Sequence, residues 1–214
     1  MRAVVVAHGD VEERDAAYAR AAELVIAADG GSAHLARWGV TPDVVVGDLD
    51  SLAGAPPAAA RVERWPREKD KSDTQLGVER ALASGADEVV VLGALGGPRI
   101  DHALANVLLL ALDGGSPGRV RIVRGALSMR VVVGGERAIL GGAAGDLVTL
   151  LALRGDAEGI ETSGLRYPLH GETLALGSSR GISNEIVSGG ASVGLRSGSL
   201  LVIESGALAP REQP

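Results

Sequence analysis

Leu24-Val25-Ile26-Ala27-Ala28-Asp29-Gly30-Gly31-Ser32 runs from five unbroken apolar residues into an acidic residue, two glycines and a hydroxyl. A continuous run with branched side chains fits a strand buried on both faces, as in a parallel sheet. Ser32 to Trp38, directly after it, reads as a helix. The same grammar recurs on either side. Ala3 to Ala7, Val44 to Val46 and Val89 to Leu92 are further apolar runs, and Val120 to Val123 closes the series. Helix-like stretches lie between them at Val11 to Ala22, Asp73 to Ser84 and Ile100 to Leu112. Strands alternating with helices predict a parallel sheet covered by helices, a Rossmann-like α/β domain.

From about Ser128 the pattern changes. Met129 to Val133, Arg137 to Leu140, Leu147 to Leu153, Thr173 to Leu176, Ala191 to Leu195 and Leu200 to Ile203 read as short strands. Glycine turns separate them, among them Gly134-Gly135, Gly141-Gly142 and Gly189-Gly190. Such spacing predicts a C-terminal β-sandwich. The expected domains are 1–125 and 126–214.

Composition removes several classes of function. The chain has 214 residues and no cysteine, which excludes disulfides and thiolate chemistry. Its four histidines have no zinc-type spacing, so a metal here would take oxygen ligands, a preference that suits magnesium. With a net charge of −6 and no basic run, nucleic acid is not an expected partner. No apolar run approaches the roughly 20 residues of a membrane span, and no signal peptide is evident at the N-terminus. The expected location is the cytoplasm.

Ligands of open α/β sheets bind beyond the carboxyl ends of the strands, and the acidic and glycine residues fall there. Asp48 and Asp50 follow the third run. In extended backbone they share a face. A magnesium ion bridging to phosphate would relieve their repulsion; the alternative is an acidic turn capped by Ser51. Glu68-Lys69-Asp70-Lys71-Ser72-Asp73 contains both lysines of the chain. Ser72 or Asp73 can cap the helix that follows, and Asp73 can instead face a metal. Gly96-Gly97-Pro98-Arg99 enters a helix whose N-terminus favours an anion, and Arg99 can hold two phosphate oxygens; the alternative is an ordinary strand-to-helix turn. Asp101 and His102 are either caps or groups acting on a substrate hydroxyl. Asp29-Gly30-Gly31 is either a tight turn or a surface for a nucleotide. Neither a P-loop nor a dinucleotide fingerprint is present.

Four motifs in order carry a resemblance: Ala28-Asp29-Gly30-Gly31; Pro42-Asp43 with Gly47-Asp48-Leu49-Asp50-Ser51; Lys69-Asp70-Lys71-Ser72-Asp73; and Gly96-Gly97-Pro98-Arg99-Ile100-Asp101-His102 with Asn106. Together they resemble the thiamine pyrophosphokinase family. Thr162 to Leu169 and Gly181-Ile182-Ser183-Asn184 resemble that family's C-terminal segments. Three departures stand out: Pro98 lies between Gly97 and Arg99, Ser72 replaces the usual threonine, and Glu68 replaces the usual aspartate.

The resemblance implies transfer of the β,γ-diphosphate of ATP to thiamine with release of AMP. It implies a homodimer with thiamine in a cleft between subunits. Asp48, Asp50 and Asp73 resemble the magnesium ligands, with Asp70 beside them. Arg99 resembles a phosphate holder, and Asp101 joins the catalytic set. Asp29, Gly30, Gly31, Lys69, Asp70, Ser72, Gly97, His102 and Asn106 form the implied ATP and magnesium surround. Tyr167, Ser183 and Asn184 fall at thiamine-binding positions. Tyr167 is also the one aromatic side chain in the second half, and its flat ring suits a pyrimidine. Two other readings compete: an aspartate-nucleophile phosphatase phosphorylated on Asp48, and a non-catalytic nucleotide- or thiamine-binding regulator.

Overall fold

The computed structural model describes residues 1–48, 60–111 and 118–206. The chain divides into two compact units, Met1–Gly125 and Ala126–Pro214.

The first unit is built on strands β1 (Arg2–Val6), β2 (Leu24–Ala28), β3 (Val44–Gly47), β4 (Arg61–Arg64), β5 (Glu88–Leu92) and β6 (Val120–Arg124). Their order is β6-β5-β1-β2-β3-β4, and every neighbouring pair is parallel. Val5 stands opposite both Ile26 and Val91 at the centre. Helices α1 (Ala16–Ala21), α2 (Ser32–Arg37), α3 (Asp73–Ala83) and α4 (Ile100–Leu109) connect the strands.

Alternation along the strands divides the apolar side chains between two faces. Val4, Val6, Val25, Ala27 and Val45 pack with Ala16 and Ala19 of α1 and with Leu35 and Trp38 at α2. On the other face α3 presents Gly77 to Val5, Ile26 and Val46, and an added Cβ there would lie 2.8 Å from Val5 Cγ1. Helices therefore cover both faces, which is why the inner strands read as unbroken apolar runs.

Two expectations for this unit need correction. The first helix does not begin at Val11. A 3-10 turn spans Glu13–Asp15 before α1, because the buried Asp15 carboxylate accepts from the Glu12 N–H at 2.8 Å and the Gly125 N–H at 2.8 Å. Strand β4 was not anticipated: its sequence is polar, with exposure typical of a sheet edge.

The second unit holds β7 (Leu127–Val133), β8 (Arg137–Ile139), β9 (Leu147–Ala152), β10 (Ala157–Ser163), β11 (His170–Leu174), β12 (Asn184–Glu185), β13 (Ser192–Gly194) and β14 (Ser199–Ser205). They form two antiparallel groups, β12-β9-β14-β7 and β11-β10-β13-β8. One core joins the groups: Val132, Leu150 and Leu200 come from the first, and Ile160, Leu174 and Val193 from the second. Strand β10 escaped the sequence reading. Its glutamates face out, and Gly159 sits at φ +62 where the pairing with β11 shifts register. Strand β11 begins three residues earlier than the expected Thr173, and β12 is a two-residue strand too short to leave a pattern.

No helix among the described residues is long and apolar enough to cross a membrane.

Candidate active site

The strand order reverses at β1. The chain leaves it for β2, β3 and β4, then returns to β5 on its other side. Loops that part at such a point leave a crevice beyond the carboxyl ends of the strands. Here the crevice is a cleft of about 640 Å³, lined by residues following β1, β2 and β5 and by the approach to α3. The loops after β1 and β5 are tied together, Gly9 N–H to the Gly93 carbonyl at 2.7 Å and Asp10 N–H to Leu95 at 2.7 Å. His34 reaches in from α2, its Nε2 2.9 Å from the Gly9 carbonyl. Burial lowers the His34 pKa below the ordinary imidazole value, which keeps it a neutral prop for this loop.

Three carboxylates converge at one end. Asp29 after β2, Asp48 after β3 and Asp73 at the start of α3 each offer an oxygen within 4.8 Å of the other two. Ser72 caps α3, its hydroxyl accepting the Gln75 N–H at 3.2 Å, which leaves Asp73 to point into the cluster. Lys69 Nζ lies 3.1 Å from Asp73 and 4.0 Å from Asp48. Burial raises the Asp73 pKa above the ordinary carboxylate range. Lys69 opposes that shift, and the Asp29 and Asp48 carboxylates add to it.

Asp29 Oδ1 is buried with no hydrogen-bond partner, a costly state for a carboxylate oxygen that no cation neutralises. The donor set, all hard oxygens, fits magnesium. Asp50 lies outside the described residues.

Gly47 makes this convergence possible. Its φ of +143 is costly for other residues, and an added Cβ would lie 3.0 Å from Asp29 Cβ and 3.1 Å from Asp73 Oδ1. Asp29 itself adopts φ +45, a left-handed conformation that aspartate tolerates better than most residues. In the Asp29-Gly30-Gly31 turn the positive φ thus falls on the aspartate. The glycines serve close approach instead: a Cβ on Gly30 would strike the His8 ring, and one on Gly31 would strike the Val6 carbonyl. Gly30 lines the cleft; Gly31 is packed behind it.

Lys69, Asp70, Ser72 and Asp73 line one wall, and Gly97, Arg99, His102 and Asn106 another. Arg67 and Lys71 add positive charge, and His8 completes the lining at β1; sequence reading had singled out none of these three for the site. His8 ends the first apolar run just as Asp29 ends the second, so the strand-end rule applied evenly would have found it. Asn106 is buried and donates to the Ala94 carbonyl at 2.8 Å, fixing the loop after β5. Arg99 grips Asp101 at 2.9 and 2.6 Å, and this pairing holds the exposed Asp101 carboxyl down to about 2.

In the second unit the structure groups Tyr167, Ser183 and Asn184. Tyr167 is 65% exposed. Ser183 has φ +57, and its N–H donates to Thr149 Oγ1 at 3.3 Å. Asn184 is buried and bonded to the Tyr167 backbone.

Residues 16–114 match the family model "Thiamin pyrophosphokinase, catalytic domain", and residues 139–200 match "Thiamin pyrophosphokinase, vitamin B1 binding domain". The chain belongs to the thiamin pyrophosphokinase family. A curated thiamine pyrophosphokinase of Bacillus subtilis is 27% identical over 187 residues, spanning 85% of this chain and 87% of that protein. The crystal structure of the Bacillus subtilis thiamine pyrophosphokinase superposes with a TM-score of 0.85 at 25% identity, covering 97% of this chain and all of that one. The thiamin pyrophosphokinase from Geobacillus thermodenitrificans gives 0.79 at 25% identity, covering 96% and 97%. The function is that of the family, thiamine pyrophosphokinase, and the chain is an enzyme. Neither the phosphatase nor the regulator reading finds support in these likenesses.

Proposed function

We propose that the chain transfers the β,γ-diphosphate of ATP to the hydroxyl of thiamine, giving thiamine diphosphate and AMP, with magnesium as cofactor. The convergence of Asp29, Asp48 and Asp73 beside Lys69, next to a cleft whose lining adds further cations, carries this reading. Asp29, Asp48 and Asp73 would hold the metal, with Asp50 the further ligand suggested by sequence. Bound magnesium supplies neutralisation of phosphate charge and polarisation of the phosphoryl oxygens.

The other roles belong to protein groups. Lys69, Arg67 and Arg99 hold phosphate oxygens, and the Gly96-Gly97 turn lets the chain approach them closely. Oxygen of the thiamine hydroxyl bonds to the β-phosphorus. The bond from that phosphorus to the α-bridging oxygen breaks, AMP leaves with the bridging oxygen, and the hydroxyl proton passes to water. Asp101 is paired with Arg99, at 2.9 and 2.6 Å, where the helix α4 begins. The assay is incubation with ATP, magnesium and thiamine. The expected products are AMP and thiamine diphosphate in equal amounts, lost on chelation and restored by added magnesium. Stoichiometric ADP would overturn the reading.

We read residues 1–125 as a Rossmann-like domain for ATP and magnesium, and 126–214 as a β-sandwich domain for thiamine. The enzyme works in the cytoplasm as a homodimer whose thiamine site draws on both subunits. This part of the reading is supported by the separation of the phosphate-handling groups, all before about residue 106, from Tyr167 and Ser183. Mixing Asp48→Asn chains with Tyr167→Ala chains, each nearly inactive alone at limiting thiamine, should restore part of the activity. No recovery on subunit exchange would count against a shared site.

A further inference from the structure

We propose that Asn184 is a positioning residue for Tyr167 and does not itself touch thiamine. The inference rests on the reading that Tyr167 contacts thiamine. Residues 164–167 run antiparallel to 184–187. Val187 N–H donates to the Gly164 carbonyl at 2.8 Å, Leu165 bridges Ile186, and Arg166 N–H donates to the Glu185 carbonyl at 2.8 Å.

The backbone ladder then stops, for two reasons. Pro168 has no N–H to give. Ser183, at φ +57, turns its own backbone out of the extended path. The Asn184 backbone is meanwhile paired with Val148 on β9.

The Asn184 side chain takes over where the ladder ends. Its Oδ1 accepts the Tyr167 N–H at 3.0 Å and its Nδ2 donates to the Tyr167 carbonyl at 2.7 Å. The same Oδ1 accepts the Glu185 N–H at 2.9 Å. One amide thus satisfies both backbone groups of Tyr167, as a partner strand would. Asn184 is only 7% exposed, whereas Tyr167 is 65% exposed. The amide is committed to the main chain beneath, and the ring stands free above it. A ring whose backbone is fixed before binding spares the ligand the cost of ordering it.

The test is a double-mutant cycle read in Michaelis constants. Asn184→Ala should raise the thiamine KM about tenfold, the size expected when a loop and one side chain must be ordered on binding. It should leave the ATP KM unchanged and kcat within about twofold. In a Tyr167→Ala background the same change should move the thiamine KM by less than about twofold, because the group that Asn184 acts through is gone. Asn184→Asp, which keeps the acceptor but loses the donor, should fall between wild type and Asn184→Ala; it replaces the alanine variant in the cycle if that one fails to fold. Additive effects would mean that Asn184 meets thiamine directly and would overturn the proposal. So would an unchanged thiamine KM in Asn184→Ala when Tyr167→Ala raises it. If Tyr167→Ala itself leaves the thiamine KM unchanged, the assignment of Tyr167 to thiamine fails, and the positioning role fails with it.

Discussion

Asp73→Asn is expected to lower turnover by roughly a thousandfold, the several kcal/mol that a metal-held phosphoryl group contributes to its transition state. The fold should survive. Asparagine has the same shape, and the cap of α3 is the neighbouring Ser72. Thermal unfolding separates this effect from misfolding. Burial holds the Asp73 pKa above its ordinary value, so the ionised carboxylate costs the folded state stability once the pH exceeds the unfolded-state value. That cost is absent at lower pH, where both states are protonated. Without magnesium at neutral pH, the variant should therefore melt at or above the wild-type temperature. Added magnesium stabilises a protein that binds it only when folded; this gain should be present in the wild type and largely lost in the variant. Activity within tenfold of wild type at limiting magnesium would remove Asp73 from the metal site.

Gly31→Ala is expected to destabilise the protein by about 3 kcal/mol or more, among the largest effects of a single methyl group. The backbone of Gly31, at φ −60 and ψ −20, is open to any residue. The obstacle is steric. The new Cβ would overlap the Val6 carbonyl at the end of β1, a main-chain atom that no rotamer change can move. Relief requires β1 and the start of α2 to separate, at the place where the cleft is framed. Gly97→Ala is the informative comparison. It has φ +72 but open space around it, so it should cost only about 1–2 kcal/mol of backbone strain. Denaturant unfolding of both variants measures the difference. Equal losses would show that the contact with the Val6 carbonyl does not set the cost at Gly31.

The inner strands of the first sheet were legible because burial on both faces writes an unbroken apolar run, as in Val4 to Val6 and Val89 to Leu92. Strands that meet solvent on one side wrote no such run. Arg61–Arg64 and Ala157–Ser163 carry glutamate and arginine on their exposed faces, and neither was found. Asp73 was legible as a group that could turn inward while Ser72 capped the helix. Asp29 was placed at the correct strand end but assigned to a nucleotide turn. What brings it within reach of Asp48 and Asp73 is its own left-handed backbone and the missing side chain of Gly47, and neither leaves a spacing signal. For Asn184, the motif marked the residue, but only coordinates reveal that its amide is spent on the Tyr167 backbone.

The most direct test of the proposed chemistry follows the β-phosphorus of ATP. The protein is incubated with magnesium, thiamine and ATP labelled at that phosphorus, and the nucleotide and thiamine products are separated. Diphosphate transfer requires the label to appear in thiamine diphosphate and the nucleotide product to be unlabelled AMP. Label retained in ADP, with thiamine carrying a single unlabelled phosphate, would contradict it.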